Sequence, residues 1–208
     1  MAVDVLVTGG HGVLGRWIVE TLRAKGREVV ATGRTNSARV DAAWDISQQE
    51  GPDPDFQPSA VVHSAAMIGR YQQPISEASG LFDVNIGGTL RVAQWCAAKQ
   101  VRQMILISGA IVYGEWTDSA KDENELTNPW VAGPYAVSKL CSEQAASMVR
   151  DAGVELTILR LSSLYGEGYE NGLPQRMLQQ GRDTGNIQLR PPFNDSFDFL
   201  NIADAANT

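Results

Sequence analysis

Tyr135 and Lys139 stand four residues apart in the run Pro-Tyr-Ala-Val-Ser-Lys, residues 134–139. On a helix that spacing places both side chains on one face. An ammonium beside a phenol favours the phenolate and draws its pKa down from about 10 toward neutrality, as an acid or base that moves a proton requires. The pairing is common by chance, so its meaning depends on what the rest of the chain places near it.

A second stretch could hold an anion. Val5-Leu-Val-Thr8 leads into Gly9-Gly-His-Gly-Val-Leu-Gly15 and then into an amphipathic run to Lys25. Glycines at 9, 12 and 15 permit a tight turn, close approach of the backbone to a pyrophosphate and close packing of helix on strand, and a helix amino terminus favours the negative charge. The strand before and the helix after give the context this motif needs, so Gly9, Gly12, Val13, Leu14 and Gly15 are read as a dinucleotide-binding turn. The next strand ends Ala31-Thr-Gly-Arg34. Gly33 offers no carboxylate for ribose hydroxyls, and Arg34 offers a permanently charged fork suited to a 2'-phosphate, which favours NADP over NAD.

The elements that must position these residues follow from the pattern. Short runs rich in Val, Ile and Leu alternate with longer amphipathic stretches, which predicts buried parallel strands joined by crossover helices, an α/β doubly wound (Rossmann-like) sheet. Strands are expected at 4–8, 28–32, 60–63, 104–108 and 155–160, and helices at 12–25, 80–99, 134–151 and 173–180. Residues 51–58 and 115–134 read as loops. The reading divides the chain into a dinucleotide-binding domain over 1–165 and a small substrate lobe over 166–208, shortened or cut at a helix that begins near Ile202.

The 208 residues carry a net charge of -7 with 17 basic and 24 acidic side chains and no basic cluster. That balance disfavours nucleic acid and anionic membranes and favours a small-molecule partner. Two cysteines, Cys96 and Cys141, read as free thiols of a reducing cytoplasm, and no apolar run reaches the length of a membrane span. No metal site is expected.

With the glycine turn and the Tyr-Lys pair established, the chain resembles the extended short-chain dehydrogenase/reductase family, the NAD-dependent epimerase/dehydratase group, over nearly its whole length. Further stretches carry the likeness: Trp44-Asp45-Ile46, Val62-His-Ser-Ala65-Ala66, Asn85-Ile-Gly-Gly-Thr89 and Ile107-Ser-Gly-Ala-Ile-Val-Tyr-Gly114. The resemblance implies that Asp45 and Ile46 meet the adenine and that Ala65 and Ala66 line the cofactor, and it counts Asn85 among the cofactor-binding residues. Asn85 either bridges a helix to the active-site strand or satisfies backbone groups locally. It makes Tyr135 the acid/base and gives Lys139 the nicotinamide ribose. It also implies a homodimer.

Departures from the family pattern are as informative. The catalytic Ser/Thr position falls on Gly109, leaving Ser108, one residue earlier, as the candidate hydroxyl. Ala110 and Ile111 stand where 4,6-dehydratases carry an acid pair, which disfavours that reaction. Ser163 occupies a position often held by a diphosphate-contacting Asn, and Phe197 stands in place of a clamping Arg, for which Arg190 is the candidate replacement. The expected function is an NAD(P)-dependent epimerase or reductase acting on a nucleotide-activated sugar. The alternatives are an NADP-dependent reductase of a smaller carbonyl compound and a dinucleotide sensor without catalysis.

Overall fold

Both faces of each central strand are apolar, so the sheet they form must be covered on two sides. The computed structural model describes residues 2–48, 51–52, 56–70, 72–114, 122–170, 172–188 and 197–208. Six parallel strands, β1 (Ala2–Thr8), β2 (Val29–Gly33), β3 (Ala42–Ala43), β4 (Gln57–His63), β5 (Gln103–Gly109) and β6 (Glu155–Leu161), run in the order β3-β2-β1-β4-β5-β6. The order reverses between β1 and β4, which opens a crevice beyond Thr8 and His63, where such sheets bind ligands.

Alternation along the strands builds two cores. Leu6, Val61, Met104 and Leu106 point to one face, where they meet Trp44, Val92, Trp95, Cys96, Ala146 and Val149. Val7, Val62 and Ile105 point to the other, against Ile18 and Val19 of helix α1 (Val13–Ala24). Trp44 and Trp95 pack at 5.4 Å between ring centroids within the first core.

The expected helix over 80–99 is one continuous path in three geometries: α2 (Ser79–Leu81), a π-helical segment (Phe82–Gly88) and α3 (Thr89–Ala98). Ile46 accounts for the closeness there, because a Cβ on Gly88 would lie 2.8 Å from its side chain. The next helix, α4 (Pro134–Ser147), begins with proline in its first turn and ends four residues earlier than expected, in a 3-10 segment (Met148–Ala152). Strand β4 begins at Gln57 and so takes in two residues expected as loop, Pro58 pairing with Val3.

Beyond β6 lie β7 (Ser163–Tyr165), α5 (Leu173–Thr184), β8 (Phe199–Asn201) and α6 (Ile202–Ala205). Strands β7 and β8 pair in parallel, and Ile202 and Ala205 are buried. Among the described residues no helix is long and apolar enough to cross a membrane.

Candidate active site

The glycine turn is closely packed. Gly9 adopts φ +71°, and a Cβ there would lie 2.7 Å from the backbone of Ala65. A Cβ on Gly15 would lie 2.1 Å from the carbonyl oxygen of Gly9, so the first turn of α1 rests directly on the loop. Gly12 is the N-cap of α1 and supplies no side-chain cap, and the first turn, with Val13 and Leu14, holds no acidic residue. Its amides and dipole are therefore left for an anion. A pyrophosphate fits this cradle. Arg34 is exposed just past the end of β2.

A buried histidine fixes the opposite wall. His63 Nδ1 is 2.7 Å from Thr8 Oγ1 and its Nε2 2.9 Å from Thr89 Oγ1, so a neutral ring can donate through one nitrogen and accept through the other. Thr8 Oγ1 also accepts the Ala65 N–H at 3.2 Å, which holds the half-buried Ala65 and Ala66 at the crevice. Burial, with Lys139 adding to it, drives the imidazole down to about 3. The unfolded chain binds this proton near pH 6.5 and the folded chain only near 3. Stability is thus complete above 6.5 and falls as pH drops, by about 1.4 kcal/mol per unit from this group. Urea titrations at pH 7.5 and 5.5 are expected to show that loss in the parent and not in a His63→Gln variant.

Asp45 Oδ1 accepts from the Ser47 N–H at 3.0 Å and from Ser47 Oγ at 2.6 Å, closing a turn after β3. Ile46 is buried beneath the π-helical segment. Asn85, inside that segment, is wholly occupied: its Oδ1 accepts the Met67 N–H at 2.7 Å, and its Nδ2 donates to Met67 O at 3.0 Å and to Ser138 Oγ at 2.9 Å. It joins the loop after β4 to α4, so of the two expectations for Asn85 it meets the second, satisfying backbone groups, those of Met67. A π segment is a frequent way to aim one side chain off the regular helical path.

Tyr135 and Lys139 lie on the face of α4 turned toward the sheet. Lys139 is 5% exposed, and its Nζ donates to Ile107 O at 2.8 Å near the end of β5. The expected depression of the phenol does not occur. Its pKa is pushed up to about 12, first by burial and then by nearby Tyr169. Burial penalises the phenolate, and the ammonium is committed to a strand carbonyl. Lys139 itself is brought down to about 8 by burial, with the carboxylate of Glu143 opposing the fall. At neutral pH Tyr135 is therefore a protonated phenol, and Lys139, one helical turn on, remains largely charged.

Ser108 is placed elsewhere than the sequence suggested. Its hydroxyl donates to Glu143 Oε1 at 2.5 Å, and Glu143 is 2% exposed. Arg160 donates to both oxygens of that carboxylate, with Nη2 at 2.8 Å, and to the Tyr113 hydroxyl at 2.9 Å. Strand alternation turns Ser108 into this network on the side of α3 and α4, while Gly109 faces the other way. A Cβ on Gly109 would meet nothing closer than 3.7 Å. Glu143 was missed in the sequence, although it follows Lys139 by four and Tyr135 by eight and so continues their face. Ser163 sits half-buried in β7, its N–H on Asp198 O at 3.3 Å. Arg190 lies outside the described residues. Phe197 and Phe199 stack at 6.0 Å, and Tyr165 meets Phe199 edge-on at 6.3 Å.

Comparison with known proteins places the fold. The profile of the NAD-dependent epimerase/dehydratase family matches residues 5–208. The chain belongs to that family. It is 26% identical to the 2-alkyl-3-oxoalkanoate reductase of Stenotrophomonas maltophilia over 98% of this chain and 63% of that protein. It is 28% identical to the UDP-glucose 4-epimerase of Mycolicibacterium smegmatis over 70% of this chain and 51% of the relative. The structure of MoeE5 in complex with UDP-glucose and NAD superposes with a TM-score of 0.83 at 26% identity, covering 98% of this chain and 69% of that one. The chain thus spans roughly half to two thirds of the length of these curated relatives.

Proposed function

We propose that this protein is an NAD(P)-dependent epimerase or reductase acting on a nucleotide-activated sugar, with Tyr135 as proton donor and acceptor. The observation that carries the reading is the placement of the half-buried Tyr135 one helical turn from Lys139, on the helix face that meets the end of β5, close to the crevice where the strand order reverses. Gly9, Gly12 and Gly15 with the first turn of α1 would hold the pyrophosphate, Asp45, Ile46, Ala65 and Ala66 the adenosine end, and Lys139 the nicotinamide ribose. A bound nicotinamide supplies or accepts the hydride. The chain's part is to hold the reacting carbon near it and to move the proton of the substrate hydroxyl or carbonyl through Tyr135 Oη.

A second reading, an NADP-dependent reductase of a smaller carbonyl compound, is favoured by the aromatic group around Phe197, which stands where a diphosphate clamp was expected. The Stenotrophomonas reductase, matched over 98% of this chain, points the same way. Oxidation of NADPH and of NADH against a panel of nucleotide ketosugars and simple ketones separates the two readings. Silence across the panel, together with no interconversion of nucleotide-sugar epimers by the cofactor-bound protein, would sink both. Arg34 favours NADPH in either case: Arg34→Ala is expected to weaken NADPH about tenfold, about 1.4 kcal/mol, and to leave NADH unchanged. A parent that prefers NADH in fluorescence titration would refute that assignment.

A further inference from the structure

The loop after β4 passes against the root of the Tyr135 side chain, and one residue in it is glycine for a reason the backbone does not supply. Gly69 lies outside the left-handed region, so its dihedrals demand no glycine. A Cβ there would lie 2.7 Å from Tyr135 Cβ, 3.1 Å from its Cγ and 2.9 Å from Gln73 Oε1. The first two atoms are the root of the aromatic side chain and cannot swing aside, since they are fixed by the first turn of α4.

The loop cannot lift away either, because it is fastened on both sides of Gly69 to the start of the same helix. On one side Asn85 grips the Met67 N–H and carbonyl and donates to Ser138 Oγ, which in turn donates to Tyr135 O at 2.7 Å. On the other side the Gln72 N–H donates to Ala132 O at 2.9 Å, although φ +51° is a costly conformation for glutamine. Gly133 makes room for that contact, since a Cβ there would lie 3.1 Å from Gln72 Cα. Gln73 adds a brace, accepting from the Arg70 N–H at 3.1 Å and donating to Glu77 O at 2.9 Å.

We propose that Gly69 is a positioning residue that sets the seat of the Tyr135 ring, the strap of residues 67–70 and 72–73 pressing the ring against α4 at a depth only a glycine allows. This inference rests on the reading of Tyr135 as proton donor for its catalytic consequence, and on geometry alone for the seat itself.

The test labels the protein with 3-fluorotyrosine and follows it by 19F NMR at neutral pH. The resonance absent in Tyr135→Phe belongs to Tyr135. In Gly69→Ala that resonance is expected to shift and broaden. Gly51→Ala provides the packing control, because a Cβ there would lie 2.4 Å from the Trp95 ring in the core; it is expected to lower stability and leave the Tyr135 resonance in place. Gln73→Ala, which loosens the brace without crowding anything, is expected to broaden the same resonance, and serves if Gly69→Ala does not fold. An unmoved Tyr135 resonance in folded Gly69→Ala, or in Gln73→Ala, would overturn the proposal. Where a substrate is turned over, Gly69→Ala should lower kcat about 100-fold, the cost of about a 1 Å misplacement, with NADPH affinity unchanged. A moved resonance with no turnover on any substrate even in the parent leaves the seat established and refutes only the catalytic reading.

Discussion

Tyr135→Phe is expected to remove turnover by a factor of about 100 to 10,000 while the protein still binds NADPH as the parent does. The substitution takes away one oxygen and keeps the ring, so the contact with Gly69 and the bond from Ser138 Oγ to Tyr135 O both survive. Lys139 is unaffected in its bond to Ile107 O, which makes no use of the phenol. What disappears is the proton held at Oη, which a pKa of about 12 keeps in place across the neutral range. The measurement is steady-state turnover beside cofactor titration by fluorescence on the same preparation. A Phe variant that retains parental turnover would refute the role of Tyr135, and one that loses cofactor binding would show that the ring was mispositioned.

The second large effect is expected at Gly15. A methyl group there would stand 2.1 Å from Gly9 O, 2.7 Å from Gly9 C and 3.1 Å from Gly10 Cα. All three are backbone atoms, so no flexible side chain can yield, and helix α1 must move off the loop. The amides of its first turn then leave the position a pyrophosphate requires. Gly15→Ala is expected to weaken NADPH and NADH alike by about 100-fold or more, about 2.7 kcal/mol, and to cost about 1–3 kcal/mol of stability through overpacking. Equal loss for both cofactors distinguishes this site from Arg34, whose effect is confined to NADPH. Unchanged affinity in Gly15→Ala would show that the cradle does not carry the pyrophosphate.

The doubly wound sheet was legible because strand alternation and helical periodicity are local signals, and Val7 and Leu6 show both faces of one strand buried as the pattern required. Family membership was legible because six short motifs occur in order. What was not legible depends on contacts distant in sequence. Tyr135 and Lys139 are neighbours on α4, yet the lysine's partner is a carbonyl of β5, and burial by surrounding elements reversed the expected direction of the phenol's pKa. Ser108 looked like a spare hydroxyl until Glu143, 35 residues later, claimed it. The π-helical segment around Asn85 has no composition of its own that announces it, and the close fit of Gly88 on Ile46 within it joins residues 42 positions apart. Gly69 gave no signal at all, because a glycine required by a side chain 66 positions away reads in sequence as an ordinary loop glycine.

A crystal structure of the protein with NADPH tests most directly whether one site unites the glycine cradle with the Tyr-Lys pair. The pyrophosphate should lie on the first turn of α1 between Gly9 and Gly15, the adenine beside Ile46 and Ala65, the ribose hydroxyls at Lys139 and the nicotinamide next to Tyr135. A dinucleotide bound away from α1, or one whose nicotinamide points away from Tyr135, would contradict it.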